Sequence, residues 1–223
     1  MSTKALKWSS LLLMISGLLT AVPILFHPDV SKPGYALLGA WVPVHVLLGL
    51  SALAGLAGLI VFYGAMSPKI TVFGHVAVWF AIVGTALLAG LMFFVETAIS
   101  PVLAGNPAYE QLLSMSGPLM AGAFGALVMI SMVILSVGFI LFGGYLIWAK
   151  IIAPANGILF IVGAPLIAFS PPLPYAVMII GGVLFGIALV WLGVSIRRGR
   201  AHETLESTLR IHDECLAQAG GRA

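Results

Sequence analysis

Charged residues and cysteine are both scarce in this chain of 223 residues. Only 8% of the residues are charged and 61% are hydrophobic, whereas an ordinary soluble domain carries about 25% charged residues. With a mean hydropathy of +1.15, this composition excludes an ordinary water-soluble domain and indicates a membrane protein. The single cysteine, Cys215, excludes an intrachain disulfide and a thiolate metal cluster.

Sequence motifs of soluble enzymes are missing as well. The chain has no glycine-rich dinucleotide or phosphate loop, no GxSxG or HExxH motif, no CxxC pair and no NxS/T acceptor. No nucleophile with a neighbouring base is identifiable, so a function other than catalysis is favoured. The formal charge of +3 comes from scattered basic residues and not from a basic module, which excludes nucleic-acid binding.

Six apolar runs have the length of membrane-spanning helices. A helix of about 20 apolar residues crosses a bilayer, and a helix pairs every backbone polar group within lipid. The runs lie near residues 8–26, 37–63, 71–97, 119–147, 151–169 and 174–196. The sequence therefore predicts an all-α fold, a polytopic transmembrane bundle of six spans over residues 1–196, with a tail at 197–223.

The basic residues are divided unequally between the two ends of these spans. If the amino terminus is cytoplasmic, nine of the ten Lys and Arg residues fall inside and only Lys32 falls outside. Because cytoplasmic loops carry an excess of Lys and Arg, we expect both termini in the cytoplasm and the connection 98–118 outside. Spans one to three and four to six then run in opposite directions, as an inverted transporter repeat requires.

Two segments outside the spans have open alternatives. In the tail, Leu205, Leu209 and Leu216 share one helical face, which predicts a short amphipathic helix; a frayed tail is the alternative. In the connection after the third span, Pro107 begins either a short surface helix or a plain loop.

Ionisable side chains in the spans are few, and each costs roughly 2.5–3.5 kcal/mol at the bilayer centre, so they mark functional sites by default. The predicted ligand or proton site consists of Glu96, His45, His27 and Thr85, and His75 forms a second intramembrane polar site. Small residues and Thr85 share a face of the third span with Glu96, which predicts that the carboxylate faces the bundle. The alternatives are an interfacial role for His27 and a snorkelling carboxylate for Glu96.

A bis-histidine haem is disfavoured. His45 and His75 are separated by roughly 20 Å along the membrane normal at about 1.5 Å per residue, so one haem cannot bridge them. A metal site at His27, His45 and Glu96 would require three or four converging ligands. The spacing of these residues matches no local ligand motif, so the metal and any other cofactor stay open.

Glycines and prolines predict the packing of the last two spans. Gly182 and Gly186 form a GxxxG spacing that Gly193 extends, which predicts close helix contact within the protein or between protomers. Asn156 beside Pro154 predicts a short, irregular fifth span.

The third span and the residues after it resemble a known group of proteins. The motifs are Gly74-His75, Val83-Gly84-Thr85-Ala86-Leu87-Leu88-Ala89-Gly90, Phe93-Phe94-Val95-Glu96-Thr97, Pro101-Val102-Leu103-Ala104 and Gly117-Pro118. They resemble a widespread group of uncharacterised bacterial six-span membrane proteins with a glycine-threonine-alanine helix that ends in an acidic residue and a proline. The resemblance covers about an eighth of the chain. It implies a bacterial cytoplasmic membrane and supplies no activity or functional residue.

Three functions are consistent with these features. The first is binding of a lipid or hydrophobic small molecule, or service as an accessory subunit of a membrane complex. The second is proton-coupled secondary transport that uses Glu96, and the third is a haem- or metal-binding redox protein. The expected partner is the lipid bilayer; a homo-oligomer and a larger membrane complex both stay open.

Overall fold

The fold is all-helical in the part of the chain that the structure describes. The structure is a computed structural model that describes residues 3–32, 34–106, 108–109, 112, 117–169 and 174–199. Within these residues there is no strand, which confirms the predicted all-α class. The predicted tail helix lies outside the described residues, as does Cys215, and so does most of the segment that follows Asn106.

Eight α-helices and a π-helix make up most of the described chain. The α-helices are α1 (Thr3–Ala21), α2 (Trp41–Met66), α3 (Val72–Gly90), α4 (Ser100–Ala104), α5 (Pro118–Ala121), α6 (Ala123–Trp148), α7 (Pro154–Ala168) and α8 (Tyr175–Arg197). The π-helix Leu91–Ile99 joins α3 to α4, and single 3-10 turns lie at Pro23–Phe26, Tyr35–Leu37 and Ser67–Lys69.

Among the residues that the structure describes, five helical segments are long and apolar enough to cross a membrane. They are Lys4–Phe26, Trp41–Lys69, Val72–Ala104, Ala123–Trp148 and Tyr175–Arg197. The run predicted at 151–169 forms α7, an apolar helix of 15 residues. This is shorter than the roughly 20 residues of a typical crossing. The six predicted spans thus correspond to five long helices and one short helix.

The turn between α6 and α7 explains why α7 is short. The Lys150 N–H donates to Ile147 O, and the Ile151 N–H donates to Leu146 O at 3.0 Å. These bonds form a Schellman motif in which Lys150, at φ 55°, occupies the left-handed position that glycine usually takes. The two isoleucines that follow are buried in this turn, and the next helix begins at Pro154, a residue suited to a first helical turn.

The outer surface of the bundle is apolar. Large hydrophobic side chains point outward from several helices, with exposed fractions of 62% at Trp8, 51% at Ile60, 61% at Leu127 and 53% at Ile180. Monomeric soluble proteins rarely expose contiguous apolar surface of this extent. The surface therefore suits a lipid environment.

The long helices and α7 form a closed ring. Its order is α1, α2, α3, α6, α7 and α8, and α8 packs against α1 to close it. Neighbours are antiparallel: Ser10 Oγ donates to Gly193 O at 2.7 Å, while Gly17, further along α1, lies against Gly186, earlier in α8. A ring of six helices directs one face of each helix toward a common centre.

Glycines set the separation of several pairs of neighbours in this ring, and the pair α3 and α6 is one example. Between α3 and α6, a Cβ at Gly84 would lie 2.5 Å from Leu135 Cα, and a Cβ at Gly138 would lie 2.6 Å from the carbonyl carbon of Phe80. These distances leave no room for a methyl group, so the two backbones are in direct contact.

The three glycines singled out in the last span lie against the beginning of the chain. A Cβ at Gly182 would lie 2.7 Å from the Ile24 side chain, and one at Gly193 would lie 2.6 Å from Ser10 O. Gly186 faces Gly17 in the same interface. In the structure these glycines serve a contact within the chain, between α8 and the α1 segment.

Candidate functional site

A cavity of about 190 Å³ lies at the centre of the ring. Each of the six ring helices contributes to its lining. In the order α1, α2, α3, α6, α7 and α8, one lining residue from each helix is Thr20, Ser51, Thr85, Phe139, Ala168 and Phe185. We call this cavity the chamber. On α2 the lining includes Ser51, Ala52 and Gly55, and such small inward residues leave the central space unfilled.

The two halves of the chain line the chamber with different chemistry. The polar lining residues all precede residue 97 and are Ser16, Thr20, His27, Trp41, His45, Ser51, Thr85 and Glu96. The lining residues from α6, α7 and α8 are all apolar: Met132, Leu135, Phe139, Ile167, Ala168, Met178, Phe185 and Leu189. The chamber therefore has one entirely apolar wall and one wall, which we call the polar wall, where the polar groups lie among apolar residues such as Leu48, Leu59 and Leu88.

Aromatic rings support the apolar wall. Phe139 and Phe185, which both line the chamber, meet edge to face with ring centroids 4.6 Å apart. Phe160 stacks on Phe139 from behind at 5.5 Å, and Phe142 also packs against it. Phe139, Phe142 and Phe160 are at most 1% exposed, so this wall is held rigidly in place.

Three hydroxyl groups form a cluster on the polar wall where α1 crosses α2. Ser51 Oγ donates to Ser16 O at 2.7 Å and lies 2.6 Å from Thr20 Oγ1. Ser16 Oγ lies 3.3 Å from Ser51 Oγ. The three hydroxyls thereby satisfy one another between two helices, and the three residues also line the chamber.

His27 and His45 are in direct contact at one end of the chamber, which we call the histidine end. Their Nε2 atoms are 3.2 Å apart and the rings are inclined at 67°. Two local structural elements place them there. His27 follows the 3-10 turn after α1, with its backbone N–H donating to Ile24 O, and His45 lies one turn into α2, four residues after Trp41. Both are buried, at 7% and 2% exposure.

Backbone carbonyls fix the orientation of both imidazole rings. His27 Nδ1 is 2.8 Å from Pro28 O, and His45 Nδ1 is 2.8 Å from Trp41 O. A carbonyl oxygen accepts and never donates, so each Nδ1 carries a hydrogen and each Nε2 of a neutral ring carries a lone pair. Burial lowers the pKa of His27 below its ordinary value, and the bond to Pro28 opposes this only in part; the neutral ring is therefore favoured.

Glu96 lies in the π-helix and joins the same end of the chamber. Its backbone carbonyl accepts a hydrogen bond from Trp41 Nε1 at 2.8 Å, and its Oε2 accepts one from Ser100 Oγ at 3.2 Å. The i→i+5 bonding of a π-helix changes which backbone groups are paired and which way side chains point. Burial, and then the Glu96 charge, raise the pKa of Tyr35, which packs on Trp41.

The structure brings together some of the predicted site residues and separates others. His27 and His45 touch, and Glu96 lines the same chamber but bonds to Ser100. Thr85 also lines the chamber, although its hydroxyl donates to Ala81 O within α3.

His75 lies elsewhere. Its Nδ1 is 3.0 Å from the hydroxyl of Tyr63, near the opposite end of α2 from His45. Tyr63 follows His45 by 18 residues on α2, which is about 27 Å of helix at 1.5 Å per residue. This supports the expectation that His45 and His75 cannot share one haem.

Sequence reasoning did not find Trp41 or the hydroxyl cluster. Both had a signal. Trp41 precedes His45 by one helical turn, and Ser16 and Thr20 have the same i, i+4 spacing inside an apolar run, where polar residues favour helix contacts.

Comparison with known proteins does not assign this chain to a family. No protein-family model, curated protein or solved structure matches it. The resemblance of the third span to bacterial six-span proteins therefore stays a prediction, and function is argued from the chamber itself.

Proposed function

We propose that this chain is an integral membrane protein that binds a small amphipathic molecule in the chamber. The observation that carries the proposal is the division of the chamber into a polar wall and an apolar wall. A molecule with an apolar body and one hydroxyl or carbonyl group matches both walls. Binding sites of this kind are mostly apolar, with a few polar groups that fix orientation.

The size of the chamber limits the ligand. Its volume of about 190 Å³ is slightly above that of an engineered 150 Å³ cavity that takes up benzene, and below the roughly 300 Å³ at which drug-sized pockets begin. The ligand class is therefore a single-ring or short-chain amphiphile, or the end of a lipid chain that carries a polar group.

The proposal places the chain in the bacterial cytoplasmic membrane with six crossings and both termini in the cytoplasm. Among the described residues, Lys69, Lys150 and Arg197 lie at helix ends opposite the histidine end, whereas Lys32 lies near His27. The positive-inside rule supports this orientation. The histidine end then faces away from the cytoplasm, and the short α7 crosses with the help of its neighbours.

Filling the chamber tests the proposal. Ala52→Leu places a larger side chain in the lining and is expected to weaken binding of phenol at least about tenfold, or 1.4 kcal/mol. Ala86→Leu, on the exposed face of α3, is the matched control and should bind as the unaltered chain does. Binding is measured by saturation-transfer NMR in detergent, with benzene as a second probe that lacks the hydroxyl.

The outcomes separate ligand binding from structural damage. Equal phenol binding by Ala52→Leu and the unaltered chain, with both folded in gel filtration, contradicts the proposal. Native mass spectrometry from mild detergent identifies the molecules that the purified protein retains, and it also tests the homo-oligomer and the larger membrane complex as partners.

A second candidate, proton-coupled transport, is favoured by one observation. The Glu96 carboxyl group lines the chamber, where a proton could pass between it and a ligand. Glu96→Gln is then expected to abolish proton flux into proteoliposomes that carry an internal pH dye. Asp29→Asn is the control, because hydrogen bonds from Ser31 hold the pKa of Asp29 below its usual value and keep it charged. Unchanged flux in Glu96→Gln removes this candidate.

A further inference from the structure

The contact between His27 and His45 lacks a hydrogen to share when both side chains are neutral. Each ring donates its Nδ1 hydrogen to a carbonyl oxygen, so each neutral Nε2 carries a lone pair, and the two Nε2 atoms lie 3.2 Å apart, close enough for their lone pairs to repel. A cation bound by both nitrogens, to one side of the line that joins them, turns this repulsion into attraction.

We propose that His27 and His45 bind a cuprous ion, Cu⁺, through their Nε2 atoms. The site goes beyond the binding of an amphiphile and does not depend on it, because the two rings are held by the chain's own carbonyl groups. It uses no residue of the apolar wall that receives the ligand body, apart from Met178.

The geometry suits a metal ion shared by two imidazoles. An ion that contacts both Nε2 atoms at metal–nitrogen distances of about 2.0–2.1 Å has an N–metal–N angle of about 100°, which is close to the tetrahedral angle. Metal-binding histidines almost always donate the other ring N–H to a carbonyl or carboxylate, which fixes the ring and raises its basicity. Both histidines have this second contact, at 2.8 Å. Two axial ligands of one haem would be about 4 Å apart, so the pair does not suit haem.

The surroundings favour Cu⁺ over Zn²⁺. Zinc sites in proteins use three or four nitrogen, sulfur or carboxylate ligands. Among the described residues, no group of three or more His, Cys, Asp and Glu side chains is arranged to hold a metal ion. Cu⁺ is instead selected by soft ligands such as the methionine thioether, together with imidazole. Its single charge also costs less to bury in an apolar chamber than a double charge.

A thioether is available at the level of the histidines. Met178 lines the chamber and is 8% exposed. It lies one turn from Tyr175, whose hydroxyl donates to the His27 carbonyl, and one turn from Gly182, which lies against Ile24. Met178 is therefore the proposed third ligand. Met92 and Met132 also line the chamber.

Copper titration tests this site. The purified full chain in detergent, kept anaerobic with ascorbate, is titrated with Cu⁺ against bicinchoninate and is expected to bind one ion. His27→Gln and His45→Gln are each expected to weaken binding about 100-fold, the upper end of what loss of a supporting contact alone costs. Met178→Leu, which conserves volume, is expected to cost about tenfold. His75→Gln is the matched control and should bind as the unaltered chain does.

A measurement on the unaltered chain covers the case in which a histidine variant does not fold. X-ray absorption at the copper edge is expected to show two nitrogen ligands and one sulfur ligand. Absence of stoichiometric binding overturns the proposal and leaves a shared proton as the cation between the rings. Tighter binding of Zn²⁺ than of Cu⁺ by the same pair overturns the choice of ion.

Discussion

Replacing Trp41 with alanine is expected to destabilise the protein by about 3–5 kcal/mol, the range for large aromatic side chains lost from a packed interior. Trp41 is 2% exposed, and its ring contacts those of His27, His45 and Tyr35 at centroid distances of 4.0–5.3 Å. Its loss leaves a cavity and removes the donor to Glu96 O. The measurement is the apparent unfolding temperature in detergent.

Two further variants separate the causes of this loss. Trp8→Ala removes the same side chain from a position that is 62% exposed, and we expect little change because lipid or detergent replaces its contacts. Trp41→Phe keeps most of the packing but leaves the Glu96 carbonyl unpaired, at a cost of about 1–3 kcal/mol. If Trp41→Ala unfolds at the same temperature as Trp8→Ala, Trp41 does not hold the histidine end together.

Gly138→Ala is expected to destabilise the bundle by about 1–3 kcal/mol, the usual cost of overpacking. A Cβ at this position meets the backbone of Phe80 and Ala81 on α3 at 2.6–2.7 Å. Backbone atoms in a helix cannot move aside as a side chain can, so the two helices must separate. The apparent unfolding temperature again measures the effect.

Gly144→Ala provides a matched control in the same helix. Nothing lies within 4 Å of a Cβ placed there, and alanine is a better helix former than glycine by about 1 kcal/mol. We therefore expect equal or greater stability. Equal effects of the two alanine substitutions would show that the contact of α3 and α6 is looser than described.

The fold could be predicted largely from the sequence because a membrane helix can be recognised from a local run of apolar residues. Five of the six apolar runs correspond to long apolar helices. The run at 151–169 forms the short α7, as Asn156 and Pro154 predict, but the helix begins at Pro154 because residues 151–153 follow the left-handed Lys150, whose conformation its residue type does not indicate. The order of the ring, with α8 beside α1, is a long-range property that helix patterns do not contain.

The candidate site could be predicted in its members but not in its geometry. The cost of burying ionisable groups singled out His27, His45 and Glu96, and all three line one chamber. The contact of the two histidines depends on the connection between their helices, and residues 28–40 show no helical or strand periodicity in the sequence from which its course could be predicted. Glu96 lines the chamber, although its direction was inferred from α-helical geometry and it lies in the π-helix Leu91–Ile99.

The closed ring has a consequence for how the chain could be connected. Because Ser10 and Gly193 are neighbours, a short linker could join α8 to α1, and the polypeptide could begin instead between α3 and α6. Such a circular permutant keeps every pair of adjacent helices, since α3 and α6 pack directly on each other. We therefore expect the permutant to form the same ring of helices.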